Sequence, residues 1–331
     1  MKVALCFLIS GDHILNKEQL WIDWINHNKD LFNIYFHYKD LTKITSPWIK
    51  KYAIPHIVET SYFHVTNAYI TLLNHAQKHD EQNQWFIFLT ESCIPIISPK
   101  KFLNLFLSSF DYSIFNWRKP WWNINYCKRA NLNKLQPILQ LGHDPYFILK
   151  REDAIALIKV ILLNKEAHKL YNFVCQGGLA NESVFAIMFQ IMWRLNTACM
   201  MQYSTHLTDW TRMTSPTSPH VFTADSDIEV DSKFICEGLK TNKFAMFLRK
   251  VGPSFPDEVL NRIIYKPEGE KDGEKDGEGE GEGEEEEKED KDANRLKINN
   301  KIIVVGLIGL FFGFIYFYSF STNLKLYYYN N

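Results

Sequence analysis

Hydrophobic and polar positions change rhythm several times along the chain. Val3 to Ser10 is an apolar run that ends at Gly11-Asp12, the pattern of a buried strand followed by a turn. Glu18 to His27 has helical spacing, Asn33 to His37 reads as a second strand, and Ile54 to Glu59 as a short third. Val65 to Gln77 predicts a helix with Ala68, Leu72, Leu73 and Ala76 on one face. Trp85 to Thr90 is the clearest strand and is apolar enough for burial on both faces. Tyr112 to Phe115 follows as a short strand, then Glu152 to Leu163 and Ser183 to Trp193 as helices. This alternation predicts an α/β domain over residues 1–265 with a mostly parallel central sheet. Ligands of such sheets lie at the carboxyl ends of the strands. The loops beginning at Ser10, His37 and Thr90 are therefore where a site is expected.

The rhythm then stops. Residues 266–294 are a low-complexity stretch of Gly, Glu, Lys and Asp with almost no apolar side chain. Such a segment lacks the surface to offset the entropy of ordering, and like charges extend it, so a disordered spacer is expected. Ile302 to Phe320 holds 19 residues without a charge. As a helix it would reach roughly 29 Å, about the hydrocarbon thickness of a bilayer. Its reading is a single transmembrane helix, with 321–331 as a short tail. Arg295, Lys297 and Lys301 precede it and only Lys325 follows, so the positive-inside rule predicts a cytosolic N-terminal domain on a C-terminal membrane anchor. The opening MKVALCFLIS imitates a short signal peptide but has no clear small-residue cleavage site, and reads as the first strand.

Charge sharpens this division. The formal net charge of -1 conceals fifteen acids against four lysines between Glu268 and Asp292. The remainder carries 33 basic and 23 acidic side chains, a net of about +10. A basic domain suits a nucleotide diphosphate or a membrane surface, or is simply a basic surface with no ligand. Apolar residues at 46% of the 331 and aromatics at 15% allow a sizeable core. The six cysteines form no C-x-x-C pair and no zinc spacing, which argues against a zinc site or a disulfide framework. Neither a phosphate-binding P-loop, a dinucleotide fingerprint, a nucleophile elbow nor a zinc-protease motif is present, and nothing points to nucleic acid. Asp225-Ser226-Asp227 has the form of a divalent-metal motif but sits in a polar run, where a solvated loop is the simpler reading.

Seven local patterns then occur in a telling order: ALCFLISGD at Ala4 to Asp12, IYFH at Ile34 to His37, FLTESCIPI at Phe88 to Ile96, LGHDPYFILKR at Leu141 to Arg151, CQGGLANESVF at Cys175 to Phe185, LTDW at Leu207 to Trp210, and FLRKV at Phe247 to Val251. Together they resemble the core-2/I-branching N-acetylglucosaminyltransferase family, with its xylosyltransferase-like and plant-type relatives. The resemblance implies a GT-A-like fold and inverting, metal-independent transfer of GlcNAc or xylose from a UDP-sugar to a glycan or protein-linked hydroxyl. No cofactor is implied, the UDP-sugar being a substrate. Glu182 falls at the family's general-base position, and a predicted helix start there favours its ionised form; without the resemblance it is an ordinary helix-start acid. Lys250 falls where the diphosphate is held, with Arg249 and Arg151 as further basic candidates. Trp210 corresponds to a tryptophan beside the sugar, Glu91 and Ser92 to the strand end where metal-using enzymes carry their acids, and His37 to the nucleotide edge. The chain departs from the pattern at Lys39, Asn181 and Ser183, and its anchor is at the opposite end from that of most family members. Two other readings follow: a catalytically inactive, membrane-tethered nucleotide- or glycan-binding module, and a structural membrane protein.

Overall fold

A computed structural model describes residues 1–215 and 217–265, apart from the side chains of residues 126 and 127. The expected spacer at 266–294, membrane span at Ile302 to Phe320 and tail at 321–331 lie outside the described residues. Among the described residues no helix is long and apolar enough to cross a membrane.

In chain order the strands are β1 (Lys2–Leu8), β2 (Phe32–His37), β3 (Asn83–Thr90), β4 (Ile94–Pro95), β5 (Ser113–Ile114), β6 (Trp117–Arg118), β7 (Gly142–His143), β8 (Ile148–Lys150), β9 (Met200–Met201), β10 (His206–Thr208) and β11 (Phe247–Arg249). Six of them form a mixed central sheet in the order β2-β1-β3-β8-β5-β9. The pairs β1/β2, β1/β3 and β5/β9 are parallel, whereas β8 runs antiparallel to β3 and β5. The sheet is thus mainly parallel. A second sheet, β10-β11-β4, lies beyond the carboxyl end of β3, and β6 pairs with β7.

Side-chain alternation explains why both faces of the central sheet are covered. Val3, Leu5 and Phe7 of β1 join Trp85, Ile87 and Leu89 of β3 in one core. Ala4 and Cys6 join Phe86 and Phe88 in the other. The first core is closed by Trp21 and Trp24 from the helix Glu18–Asn26 and by Phe102 and Phe106 from Pro99–Ser109. The second is closed by the helices Thr66–His79, Arg151–Leu163, Lys165–Cys175 and Val184–Ile191. Local signals set several boundaries. Ser98 caps the helix at Pro99 by accepting the Lys101 N–H at 3.2 Å, with the proline at the first turn where its missing donor is harmless.

Two expectations change. No strand forms over Ile54 to Glu59; Ala53 only bridges Phe36. Pro55 has no N–H to offer a ladder, and the Val58 N–H goes instead to the ring of His37. The helix expected from Ser183 begins at Val184, so Glu182 closes a preceding 3-10 turn, Ala180–Glu182, and is not part of the helix's first turn.

Candidate active site

The carboxyl ends of the parallel strands meet the second sheet, and two backbone bonds and one side-chain bond lock them together. The Asn16 N–H donates to the Glu91 carbonyl at 2.9 Å, its side-chain amide donates to the Val251 carbonyl at 2.7 Å, and the Val251 N–H donates to the Ser92 carbonyl at 3.0 Å. The loop after β1, the end of β3 and the exit of β11 are therefore tied to one another. This brings Glu91 and Ser92 beside Arg249 and Lys250, residues about 160 positions away in sequence. Burial pushes the Glu91 carboxyl up; its own N–H, the charges of Arg249 and Lys250, and the Ser10 N–H pull it back.

Arg249 is the hub of the site. Its guanidinium lies over the Tyr146 ring at 4.7 Å from the centroid, a cation–π contact. It acts on the charge states of Glu91, Cys93, Tyr146, Glu182 and His206. Its Nε is buried without a partner. Lys250, partly buried and also felt by Glu91, follows it. Trp210 sits two residues past Thr208, which pairs with Arg249 in the β10/β11 ladder, and is 48% exposed. The loop carrying Trp210 is held by Asp209, which caps the Thr211 N–H at 2.8 Å and pairs with Arg212 at 2.6 Å.

Glu182 lies within electrostatic reach of Arg249. Its Oε2 pairs with Arg129 at 3.3 Å. Burial raises its carboxyl; Arg129, then Arg249, and lastly Arg118 lower it, while Asp144 raises it. Glu182 precedes the helix and is not in its first turn, which corrects the expectation from sequence. Arg129 is itself preset: the Ala130 N–H donates to both the Gly177 and Gly178 carbonyls at 3.2 and 3.0 Å. At Gly177 a Cβ would lie 2.2 Å from the Asn131 nitrogen, so only glycine permits this approach. On either side of Glu182, Asn181 Oδ1 and Ser183 Oγ are buried and unpartnered.

His37, fully buried at the end of β2, accepts the Val58 N–H on Nε2 at 3.1 Å. Burial lowers its pKa to about 4, so it is neutral with its proton on the unpartnered Nδ1. Arg151 is elsewhere. It donates to the carbonyls of Gln77, Asp80 and Asn83 at 3.1 to 3.3 Å, at the amino end of β3, and has no part in the site. Asp227 of the Asp225-Ser226-Asp227 run caps the helix Ile228–Thr241 through the Glu229 and Val230 N–H groups at 3.1 Å. Among the described residues no three His, Cys, Asp or Glu side chains are grouped to hold a metal.

Arg129, Tyr146 and Asp144 belong to the site without having been singled out from sequence. Tyr146 and Asp144 lie inside a recognised motif, whereas Arg129 sits in a run with no local signal beyond the distant Gly177-Gly178 pair.

Among solved structures, the chain is similar to a crystal structure of a glycosyltransferase involved in the glycosylation of the major capsid of PBCV-1, at 9% identity over 78% of this chain and 99% of that one, with a TM-score of 0.37. It is also similar to the crystal structure of A197 from STIV, at 12% identity over 47% and 68% of the two chains, with a TM-score of 0.24. No curated protein matches it. The model of the Core-2/I-Branching enzyme family matches residues 5–230, well over half of the 331, and the chain belongs to that family of glycosyltransferases.

Proposed function

We propose that the protein is an inverting, metal-independent glycosyltransferase of GT-A-like fold. It moves GlcNAc or xylose from a UDP-sugar to a hydroxyl of a glycan or protein-linked sugar. The observation that carries the reading is a part-buried carboxylate, Glu182, whose Oε1 lies outside its pair with Arg129, within electrostatic reach of Arg249, a cation with an unpartnered N–H.

The steps follow from those groups. Glu182 Oε1 takes the proton of the acceptor hydroxyl as its oxygen attacks the anomeric carbon. The bond from that carbon to the UDP oxygen breaks on the opposite face, and the diphosphate leaves with the electron pair. Arg249 and Lys250 stabilise the charge that grows there, the work a metal does in other transferases. A carboxylate raised by burial is a stronger base near neutral pH than a solvated one. Trp210 offers a half-exposed ring to the sugar, His37 an imidazole N–H at the nucleotide edge, and Glu91 and Ser92 polar contacts between them. The span at Ile302 to Phe320 would tether the domain to a membrane, with 266–294 as spacer and the domain on the cytosolic side.

The test uses the full chain in detergent, a panel of UDP-sugars and EDTA. Wild type is expected to bind one UDP-sugar and release UDP. Glu182→Gln should lower turnover about 10³-fold with UDP affinity unchanged within about twofold. Retained turnover in that variant removes Glu182 as the base. Nucleotide binding without UDP release, across many acceptors, favours a non-catalytic binding module. No nucleotide binding at all would point to a structural role.

A further inference from the structure

Beside Glu182 lies an aromatic shelf that the transfer step does not use. Trp121 is 48% exposed, and the Arg118 guanidinium stacks on its ring at 4.2 Å from the centroid. Arg118 Nη2 donates to Asp144 Oδ1 at 2.7 Å, and Asp144 Oδ2 accepts from the Asn116 amide at 2.8 Å. Trp122 meets Trp121 edge to face at 4.6 Å, and the Arg129 guanidinium that pairs with Glu182 lies 5.2 Å from the Trp122 ring centroid. Gly142 forms the floor. A Cβ there would come within 3.1 Å of Trp121 and 3.3 Å of Trp122, so both indoles rest on bare backbone. Trp122 Nε1 is buried with no partner. Arg118 and Asp144 both act on the charge of Glu182, which sets the shelf within electrostatic reach of the base.

We propose that this shelf is an acceptor subsite: Trp121, Arg118, Asp144 and Asn116 hold a neutral pyranose, the unit next to the one that carries the attacking hydroxyl. The inference rests on Glu182 being the base. The apolar face of an indole matches the C–H face of a pyranose, and a polar rim then fixes its orientation. Vicinal hydroxyls both donate and accept, and the rim supplies an acceptor in the Asp144 carboxylate and donors in Arg118 and Asn116. The charge of Arg118 is neutralised by Asp144, so an acidic sugar gains no cation here, and the neutral class is selected. Half of the Trp121 ring is left in solvent, and Trp122 and Arg129 connect it to Glu182.

Saturation-transfer NMR tests this without donor or turnover. The full chain, in a detergent with no sugar headgroup, is titrated with methyl lactoside, N-acetyllactosaminide, cellobioside and xylobioside, and with a sialylated lactoside. At least one neutral disaccharide should bind, with the sialylated form no tighter. Trp121→Ala should weaken that binding about tenfold, Trp121→Phe should recover most of it, and Asp144→Asn should weaken it with the melting temperature unchanged. In the Glu182→Gln background the difference between Trp121 and Trp121→Ala should persist. No binding of any neutral disaccharide, or equal binding by wild type and Trp121→Ala, overturns the subsite. Turnover retained in Glu182→Gln would instead remove the proposed base and leave the Trp121-dependent binding standing.

Discussion

The two ends of the central sheet treat their polar groups in opposite ways. At the amino end the charged and amide groups have partners, with Trp85 Nε1 of β3 the buried exception. Lys2 and Asn33 both bond Asp80, at 3.0 and 2.8 Å; Asn83 donates to Tyr35 at 3.1 Å and to the Ala76 carbonyl at 2.9 Å; Arg151 closes the set with three carbonyls. The carboxyl end leaves His37 Nδ1 and Arg249 Nε unpartnered, and Asn181 Oδ1, Ser183 Oγ and Trp122 Nε1 join them around Glu182. A buried polar atom without a partner costs about 1–3 kcal/mol. We read the carboxyl end, where the charged and amide groups go unsatisfied, as the one that receives groups from outside. The comparison separates two arginines that look alike in sequence: Arg151 belongs to the architecture and Arg249 to the chemistry.

Arg249→Met is the strongest way to break that comparison. It removes the hub cation and its contact with the Tyr146 ring while keeping much of the apolar stem. Turnover should fall about 10²- to 10³-fold. The melting temperature should hold or rise, because a partly satisfied buried cation is replaced by an apolar chain. A drop in stability with turnover intact would make Arg249 a second architectural arginine. Arg151→Met is the mirror test. It strips donors from three carbonyls, so unfolding should become easier by about 2 kcal/mol, read by denaturant titration. The ratio kcat/KM should stay within about twofold of wild type. Lost activity at unchanged stability would erase the distinction.

Much of the sheet was legible because burial on both faces writes itself as apolar runs; Val3 to Ser10 and Trp85 to Thr90 needed no long-range information. The short strands were not. β8 and β11 are three residues each; β8 exists because it pairs with β3 and β5, and β11 because it pairs with β10 and β4, partners that no local window contains. The strand expected at Ile54 to Glu59 failed through a side chain, His37, that captured a backbone donor. For the site, motif order led to Glu182, Arg249 and Lys250, but motif position alone misassigned Arg151, whose neighbour Lys150 lies in β8 while its own side chain turns to the amino end. Arg129 was invisible. Its role depends on a backbone contact between residues 130 and 177, which the Gly177-Gly178 pair permits without announcing.

The smallest effect expected is also the most diagnostic, because it probes how the open end keeps its base charged. Burial raises the Glu182 carboxyl, and Arg129 is the first group that offsets it, ahead of Arg249; Asp144 adds to the rise and Arg118 opposes it. Tyr69 packs near enough to feel the same carboxylate. In Arg129→Met the offset is lost, the folded-state pKa of Glu182 climbs further, and the base is protonated at a pH where wild type is still ionised. The acid limb of kcat/KM should therefore move to higher pH. The loss should be about tenfold on the acid side and should shrink as the pH rises and the carboxylate ionises again. Arg129→Lys should return part of the shift, since it restores the charge but not the stacked guanidinium over Trp122. If the variant loses the same factor at every pH, the limb has not moved; Arg129 then acts on the acceptor, and the charge of Glu182 is held by the cation at the hub.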